Sequence, residues 1–420
     1  MRHDTALIIG SKCSCTGVYT PLSEPMIALS RTRLTAFHPA ARSLRLVFVV
    51  IVVLMSGCAT QPLTEELPPA PKAPPQAAAP QTVAEPDRDL ASKRITIAAV
   101  GDMMLGTDYP ENHLPDDDGV SFLAHVTPIL TDADVTFGNL EGVLLDDGEP
   151  GKKCSNPDAC YLFRSPSRYV DHFINAGFDV LSLANNHARD FGEEGRLASM
   201  QTLAAAGIHH SGLEGDFASF AVNGLEVALL AFAVTKNSNM MLDYDIAAEV
   251  VADHAGRYDI VVVSFHGGAE GENVTRLPFA EEEYFGEPRG DVVKFSRMMV
   301  DAGADLVLGH GPHVVRAVER YNNRLIAYSL GNFATYYGIS VNGIKGIAPI
   351  LVTTLDGEGN FVEGKVHSTI QLRPDGPSID KRHRALNLMR SLSNLDFITP
   401  GVAFSPDGSL KPAPRIHGLP

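Results

Sequence analysis

Aromatic residues and positive charge are both scarce in this sequence. It has no tryptophan among 420 residues, and aromatic side chains make up only 7% of the chain. Proteins that bind single-stranded nucleic acids stack bases on aromatic rings, and proteins that bind duplexes neutralise phosphates with lysine and arginine. With a formal net charge of −16, the chain is predicted to bind no nucleic acid. Its hydrophobic content of 45% is enough for a large folded core.

The N-terminal region lacks an apolar run long enough to cross a membrane as a helix. The run LVFVVIVVLM, at 46–55, is about half as long as the ~20 residues that a spanning helix needs. It follows the arginine-rich stretch 31–45 and precedes Ser56, Gly57 and Cys58. A basic stretch, a short apolar run and small residues, in this order, are typical of a secretory signal peptide.

The residues before Cys58 resemble the lipobox of bacterial lipoproteins, although Met55 stands where leucine is usual. That resemblance implies lipidation of Cys58, and so an extracytoplasmic lipoprotein anchored to a membrane, in the periplasm or at the cell surface. An uncleaved signal anchor, or an ordinary signal peptide followed by a chance cysteine, are the alternatives. Residues 1–57 are assigned to the signal region, with Met26 as an alternative start.

Cysteine is also rare, with only five residues in the chain. Cys154 and Cys160 stand close together in the body of the sequence. In an oxidising compartment such a pair predicts a small structural disulfide that closes a loop. A metal site here would need more soft ligands than this stretch offers.

The composition changes again after the signal region. Segment 58–93 is rich in proline and alanine and poor in large apolar side chains, so it is predicted to be an unfolded tether. In 94–372, short apolar runs alternate with helix-length segments, which predicts a layered α/β domain with an added antiparallel portion. Segment 373–420 is predicted to be a tail, with little regular structure beyond about residue 380. Helices are expected near 120–131, 167–178, 192–207 and 289–302, and a hairpin is expected to turn at Asn223-Gly224.

Polar side chains stand where the predicted strands end. They are Asp102, Asn139 with Glu141, Asn186 with His187, His266 with Glu270, His310 with His313, and Asn332. In layered α/β folds the carboxyl ends of the strands face one crevice, where ligands bind. Each residue alone has a structural alternative, such as a helix cap for Asp102. Their joint placement favours a site for divalent metal ions, Mn, Fe, Zn or Mg, because these side chains are ligands of such ions.

Five motifs in a fixed order carry a family resemblance. VGDMMLG, FGNLEG, FDVLSLANNHARDFG, the stretch from His266 to Glu270, and ADLVLGHGPHVVRAVE followed by LIAYSLGNF closely resemble the CapA-type bacterial capsule-synthesis proteins. Those proteins are associated with poly-γ-glutamate, and their domain is similar to the calcineurin-like metallophosphoesterases. The resemblance covers about residues 94–372. It implies a four-layer α/β/β/α sandwich of the metallophosphoesterase type, with a metal site at the strand ends.

The resemblance also implies a role for each matching residue. His187 would protonate a leaving group, and Glu270 and Asn332 would contact substrate or support the ligands. Asn139 or Glu141 would stand in place of the bridging carboxylate. The residues implied to bind metal are Asp102, Asn139, Glu141, Asn186, His266, His310 and His313.

Three positions depart from the wider phosphoesterase pattern. Met104 stands where those enzymes have a ligand histidine, and Asn139 replaces an aspartate. Two residues, rather than one, separate His310 from His313. CapA-type proteins share these changes, which put a full two-metal centre and ordinary phosphatase activity in question.

Two functions are open on this basis. The first is an extracytoplasmic, metal-dependent hydrolase or transferase that acts on a phosphate ester or a γ-glutamyl polymer, with His187 as general acid. The second is a non-catalytic accessory or scaffold for polymer export with a degenerate metal site. It would bind polyglutamate, another envelope polymer or a capsule-synthesis subunit.

Overall fold

The computed structural model describes residues 89–152 and 161–414. The signal region, Cys58, Cys154 and Cys160 lie outside the described residues, so lipidation and the disulfide stay predictions. Among the described residues, no helix combines the length and the apolar character needed to cross a bilayer.

Strands make up most of the regular structure. Up to residue 240 they are β1 (Arg94–Met104), β2 (Val135–Leu140), β3 (Val143–Leu144), β4 (Arg164–Ser165), β5 (Val180–Ser182), β6 (His209–Ser211), β7 (Ala218–Val222), β8 (Leu225–Ala233) and β9 (Asn239–Met240). Beyond it they are β10 (Ile260–His266), β11 (Glu282–Tyr284), β12 (Glu287–Gly290), β13 (Leu306–His310), β14 (Val318–Tyr321), β15 (Arg324–Ala327), β16 (Asn332–Thr335), β17 (Ile347–Asp356), β18 (Phe361–Gln371), β19 (Pro377–Ile379), β20 (Val402–Phe404) and β21 (Ser409–Pro412). The helices are α1 (Thr127–Leu130), α2 (Val170–Ala176), α3 (Gly192–Ala205), α4 (Tyr244–Ala255), α5 (Val292–Asp301) and α6 (Arg384–Asp396).

Most of the strands belong to two large sheets. One is ten-stranded, in the order β20-β21-β18-β17-β1-β2-β5-β6, with β16 beside β1 and β19 beside β18. The other is seven-stranded, in the order β14-β15-β13-β10-β8-β7, with β9 beside β8. The central strands β1, β2 and β5 are mutually parallel, as are β8, β10 and β13. Their carboxyl ends therefore point the same way within each sheet.

The two sheets pack face to face, and helices cover their outer faces. Alternate residues of a strand point to opposite faces, so Ile97 of β1 packs with Val262 of β10 between the sheets. Val100 of β1 instead packs with Phe173 of α2 outside the ten-stranded sheet. Phe265 of β10 packs against α5 outside the seven-stranded sheet. This arrangement confirms the predicted four-layer α/β/β/α sandwich.

The hairpin predicted at Asn223-Gly224 is confirmed. These two residues join β7 to β8 and have φ values of 54° and 72°. A two-residue turn with positive φ at both positions matches the right-handed twist of the strands that it connects.

The helix predicted over 120–131 is largely wrong. Only α1 at its end is helical, and the preceding segment is a succession of turns in which alternate N–H groups donate to the carbonyl three residues earlier, as from Phe122 to Gly119. Pro128 has no N–H to donate, so it is tolerated in the first helical turn but not further inside a helix.

The prediction of little regular structure beyond residue 380 is also wrong. Helix α6 buries Leu386 and Met389 in the core between the sheets, and Leu410 of β21 joins the same core. The prolines and glycines that predicted disorder lie at turns instead, as Pro406 and Gly408 do between β20 and β21. Proline and glycine in this segment therefore mark turns between short strands and do not indicate a lack of structure.

Candidate functional site

The residues predicted at the strand ends lie together. β1 and β2 place Asp102 and Asn139 opposite each other in register, and β10 and β13 do the same for His266 and His310. Glu141 comes directly after β2, and all five side chains are buried. The two sheets thus bring their polar strand ends to one place, as expected from parallel strands.

Two buried carboxylates form the centre of this site. Oε1 of Glu141 lies 3.3 Å from Nε2 of His266, and Oδ1 of Asp102 lies 3.3 Å from Nδ1 of His310. One atom from each of Asp102, Glu141 and His266 lies within 4.8 Å of the others. These three buried side chains could hold one divalent cation between them.

Both carboxyl groups are ionised near neutral pH. Burial alone would raise the pKa of Asp102, but close contacts with His310 and His313 hold it well below the ordinary range. Burial also opposes ionisation of Glu141, but the charge of His266 lowers its pKa to about 2. Two neighbouring buried anions need a positive partner, because an uncompensated charge in the protein interior costs several kcal/mol.

His313 supplies such a charge in the cation-free protein. Burial would lower the pKa of His313, but its contact with Asp102 raises that pKa to about 10. A cation bound at the carboxylates would therefore compete with the proton on this ring for the same negative charge.

Several polar atoms of the site are buried without a well-aligned hydrogen bond among the described residues. They are Oε1 of Glu141, Oδ1 of Asn186 and both ring nitrogens of His266 and His310. Buried polar atoms are normally paired, and oxygen and imidazole nitrogen atoms are ligands of Mn²⁺, Fe²⁺ and Zn²⁺. Among them, Glu141 and His266 lie close enough to Asp102 to hold a divalent cation together with it.

Asn139 holds the two carboxylates in place. Its Nδ2 donates to Oδ1 of Asp102 over 2.9 Å and to Oε2 of Glu141 over 2.5 Å. Its Oδ1 accepts from Nδ2 of Asn185 over 3.0 Å, and Asn185 also donates to the carbonyl of Leu140 over 2.8 Å. Asn139 thus presents its amide nitrogen to the site, whereas the predicted ligand role would need the opposite amide orientation.

His187 is oriented by a carboxylate. Its Nδ1 lies 2.7 Å from Oδ2 of Asp190, which also accepts from the backbone N–H of Phe163 over 2.8 Å. Nζ of Lys152 lies 3.3 Å from the other oxygen of Asp190. An imidazole that donates from Nδ1 to a carboxylate keeps its Nε2 available on the other side of the ring.

A cavity of about 210 Å³ opens beside these residues. His187, His313 and Asn332 line it, together with Glu270, Lys345, Ser340, Tyr161, Tyr284 and others. The wall of the cavity therefore contains both His187, the predicted proton donor, and His313, a predicted metal ligand.

Glu270 is fixed at the wall of this cavity. One of its oxygens lies 3.1 Å from Nη2 of Arg289, and the other lies 3.9 Å from Nε2 of His313. Arg289 is buried, and its Nε donates to the carbonyl of Gly268 over 2.9 Å. The predicted supporting role of Glu270 is consistent with this position next to a candidate ligand.

A family model described as "Bacterial capsule synthesis protein PGA_cap" matches residues 96–337, which is more than half of the chain. The chain belongs to this family. The PGA_cap match includes every residue predicted at a strand end from Asp102 to Asn332, and it stops before β17–β21 and α6. The prediction that Asn332 ends a strand is wrong, because Asn332 is the first residue of β16.

Two curated relatives show the same similarity. Capsule biosynthesis protein CapA of Bacillus anthracis is 30% identical over 270 residues, which cover 59% of this chain and 61% of that protein. PGA biosynthesis protein CapA of Bacillus subtilis (strain 168) is 30% identical over 256 residues, covering 57% and 63% respectively. The chain thus spans less than two thirds of the length of these relatives.

Solved structures are similar to this chain at a lower sequence identity than these relatives. The 5′-nucleotidase precursor from Thermus thermophilus has a TM-score of 0.38 at 12% identity, covering 72% of this chain and 59% of that chain. The calcineurin-like phosphoesterase YfkN from Bacillus subtilis has a TM-score of 0.34 at 11% identity, covering 72% and 97% respectively.

Glycines beside the strand-end residues of this PGA_cap protein allow neighbouring backbones to approach closely. A Cβ atom on Gly101 would lie 1.8 Å from the carbonyl oxygen of Gly331, and one on Gly309 would lie 2.3 Å from that of Tyr328. The N–H of Asp102 donates to the same Gly331 carbonyl over 2.8 Å. The contact between these two segments is what places Asp102 beside β16.

The residues that support the site differ in whether a sequence motif can indicate them. Asp190 stands three residues after His187, and that spacing is a local signal that a motif can carry. Lys152 and Arg289 lie in unrelated segments and reach the site only through the fold. Asn185 adjoins the predicted ligand Asn186, but only its contacts show that it orients Asn139.

Proposed function

We propose that this chain acts in the biosynthesis of a capsule or envelope polymer as a metal-dependent hydrolase. The family membership supports the pathway. One geometrical feature supports the chemistry: the ionised pair Asp102 and Glu141, beside buried histidine nitrogens that make no well-aligned hydrogen bond, lies near a histidine that a carboxylate orients.

The cation would be held by Asp102, Glu141, Asn186, His266 and His310. When bound, a divalent cation supplies Lewis-acid chemistry, because it polarises the bond that is cleaved and makes water a better nucleophile. Asn139 keeps the two carboxylates at a fixed separation by donating to both of them.

His187 would donate a proton to the leaving group. Asp190 stabilises the protonated ring through Nδ1, so that Nε2 can give its proton to a group in the cavity that His187 lines. The ring of Phe163 lies 4.4 Å from that of His187 and restricts its movement.

The substrate would be a phosphate ester or a γ-glutamyl polymer, both of which carry negative charge. Lys345 lines the cavity, and its nearest carboxylate contact, to Glu272, is long at 4.0 Å. Its ammonium group is thus available to attract an anionic group at this end of the cavity.

Metal content tests this proposal directly. The full chain, purified without chelator, should contain stoichiometric Mn, Fe or Zn by plasma mass spectrometry, and Asp102→Ala and His310→Ala should lose it. His254→Ala is the matched control, because His254 is buried but lies on α4, away from the strand ends. Folded wild-type protein without metal, which remains metal-free after incubation with Mn²⁺ or Zn²⁺, would refute the proposal.

The alternative is a non-catalytic accessory of polymer assembly or export. Met104 favours it, because this side chain packs in an apolar cluster with Phe163 and Ile339 and provides no ligand. In a strain that lacks the protein and its surface polymer, a His187→Ala copy would restore the polymer if the role is accessory. If only the wild-type copy restores it, the hydrolase is supported.

We further propose that the chain is a lipoprotein anchored through Cys58 outside the cytoplasm. The order of basic, apolar and small residues before Cys58 supports this proposal. Cells grown with labelled palmitate should label the wild type and a Cys154→Ser control, but not Cys58→Ser. Equal labelling of the Cys58→Ser protein would rule out this anchor.

A further inference from the structure

Asn332 is the first residue of β16 and lies beside Asp102. β16 runs parallel to β1, and Asn332 lies directly opposite Asp102 in that pairing. The register shifts immediately afterwards, between Asp102 and Met103. Such an irregularity re-aims the side chains next to it, and Asn332 is buried with only 1% of its surface exposed.

The amide of Asn332 has a defined orientation. Its Nδ2 donates to the carbonyl of Ser340 over 3.1 Å and to the carbonyl of Lys345 over 3.3 Å. Because a carbonyl oxygen accepts and cannot donate, these two contacts fix which end of the amide is the nitrogen. Oδ1 is therefore the atom that faces the site.

Three potential ligand atoms meet at this point. Nδ1 of His313 lies 2.9 Å from Oδ1 of Asn332 and 3.0 Å from Oδ2 of Asp102. A single N–H points well at only one acceptor. Atoms that share a cation at about 2.1 Å are spaced by about 3 Å, so both separations match neighbouring ligands of one ion.

The backbone of His313 is held in an uncommon conformation. Its φ of 58° is in the left-handed region, which costs a residue with a side chain of order 1 kcal/mol or more. Two residues rather than one separate it from His310. The left-handed conformation accommodates the extra residue and directs the ring at Asp102 and Asn332.

Position 104 offers no ligand in this chain. The Met104 side chain is buried among Phe163 and Ile339. Asn332, by contrast, brings its Oδ1 from the neighbouring strand to the same His313 nitrogen that Oδ2 of Asp102 contacts.

We infer that Asn332 is a metal ligand that compensates for Met104, and that Asp102, His313 and Asn332 hold a second cation. This inference rests on the proposed function, because it requires a first cation at Glu141 and His266 that shares Asp102. An amide oxygen, a carboxylate and an imidazole together suit Mn²⁺ or Fe²⁺.

The experiment measures Mn²⁺ stoichiometry on the full chain by calorimetric titration, together with the electron paramagnetic resonance spectrum of the loaded protein. The wild type should bind two ions per chain and give the spectrum of a spin-coupled pair. Asn332→Ala and His313→Ala should each bind one ion and give an isolated Mn²⁺ spectrum. Asn332→Asp, which keeps an oxygen at this position, should retain two. Asn239→Ala is the control, since Asn239 is a partly buried amide bonded to Asp216 and Ala231, away from the strand ends.

The possible results separate the two proposals. Two ions in both the wild type and Asn332→Ala would overturn the role of Asn332. One ion in the wild type would overturn the second cation but leave the proposed function standing. No bound ion in the folded wild type would overturn both. If Asn332→Ala does not fold, His313→Ala decides between one ion and two.

Discussion

Asp190 orients His187 and is itself oriented by Lys152. The Asp190 carboxylate lies 2.7 Å from Nδ1 of His187 through one oxygen and 3.3 Å from Nζ of Lys152 through the other. Asp190 is completely buried and His187 is buried, whereas Lys152 is partly exposed to solvent. Because Asp190 contacts the predicted proton donor, replacing it should lower turnover and leave metal binding unchanged.

Replacing Asp190 with asparagine should lower turnover roughly 10²–10⁴-fold, because the protonated His187 ring loses its stabilising charge. The measurement is kcat with bis-p-nitrophenyl phosphate or γ-glutamyl-p-nitroanilide, whichever the wild type cleaves. Metal content should stay at the wild-type level. His125→Ala is the control, because His125 is exposed. Unchanged kcat in Asp190→Asn would contradict the role of this pair.

Replacing Gly101 with alanine should destabilise the protein by more than about 3 kcal/mol, because the added Cβ would lie 1.8 Å from a backbone oxygen of Gly331. Gly207→Ala is the matched control: its φ is +77° but no atom lies within 4 Å of the added Cβ, so the cost should be only about 1 kcal/mol. Urea denaturation measures both values. Similar losses in the two variants would show that the contact of β1 with residue 331 is not tight.

Stability should fall in acid because of Asp380. Burial would raise its pKa, but hydrogen bonds from Arg384 and from the backbone of Arg382 lower it to about 2. Its unfolded value is about 3.9, so the stabilisation is fully present above about pH 4 and is lost as the pH falls towards 2.

The pH effect can be isolated with Asp380→Asn. Denaturation curves between pH 5 and pH 2 should converge for the two proteins as the pH falls, because the wild type loses the charge that the variant never had. A difference in stability that stays constant over this range would refute the assignment to Asp380.

Ending the chain after Lys381 should prevent stable folding. The deletion removes Leu386, Met389 and Leu410 from the core between the sheets, and each buried side chain of this size contributes about 1.5–3 kcal/mol. Domains are stable by only about 5–15 kcal/mol. A chain that ends after Pro414 is the control and should unfold like the wild type in thermal denaturation. A cooperative transition at the wild-type temperature in the shorter chain would show that α6 and β21 are dispensable.

The main strands could be predicted because they are buried on both faces. Such strands are continuous apolar runs, so the runs at 95–100, 259–265 and 305–309 correspond to β1, β10 and β13. The polar residue that ends each run is visible for the same reason, since it interrupts an otherwise apolar pattern.

Regions with weaker patterns were predicted less well. The segment after residue 380 has short strands and a helix whose apolar residues are spaced among prolines and glycines, and its burial depends on both sheets being in place. The same holds for Lys152, which reaches Asp190 across 38 positions of the sequence through no local pattern.

The sequence by itself determined the layered fold, the family and the identity of the polar residues at the strand ends, because hydrophobic period and motif order are local properties of the chain. Only the tertiary structure decided which atoms of those side chains contact one another. It turned the amide nitrogen of Asn139 towards the carboxylates and the amide oxygen of Asn332 towards His313. Each orientation depends on hydrogen-bond partners from other segments, Asn185 for one and the carbonyls of Ser340 and Lys345 for the other, which become neighbours only when the sheets have packed.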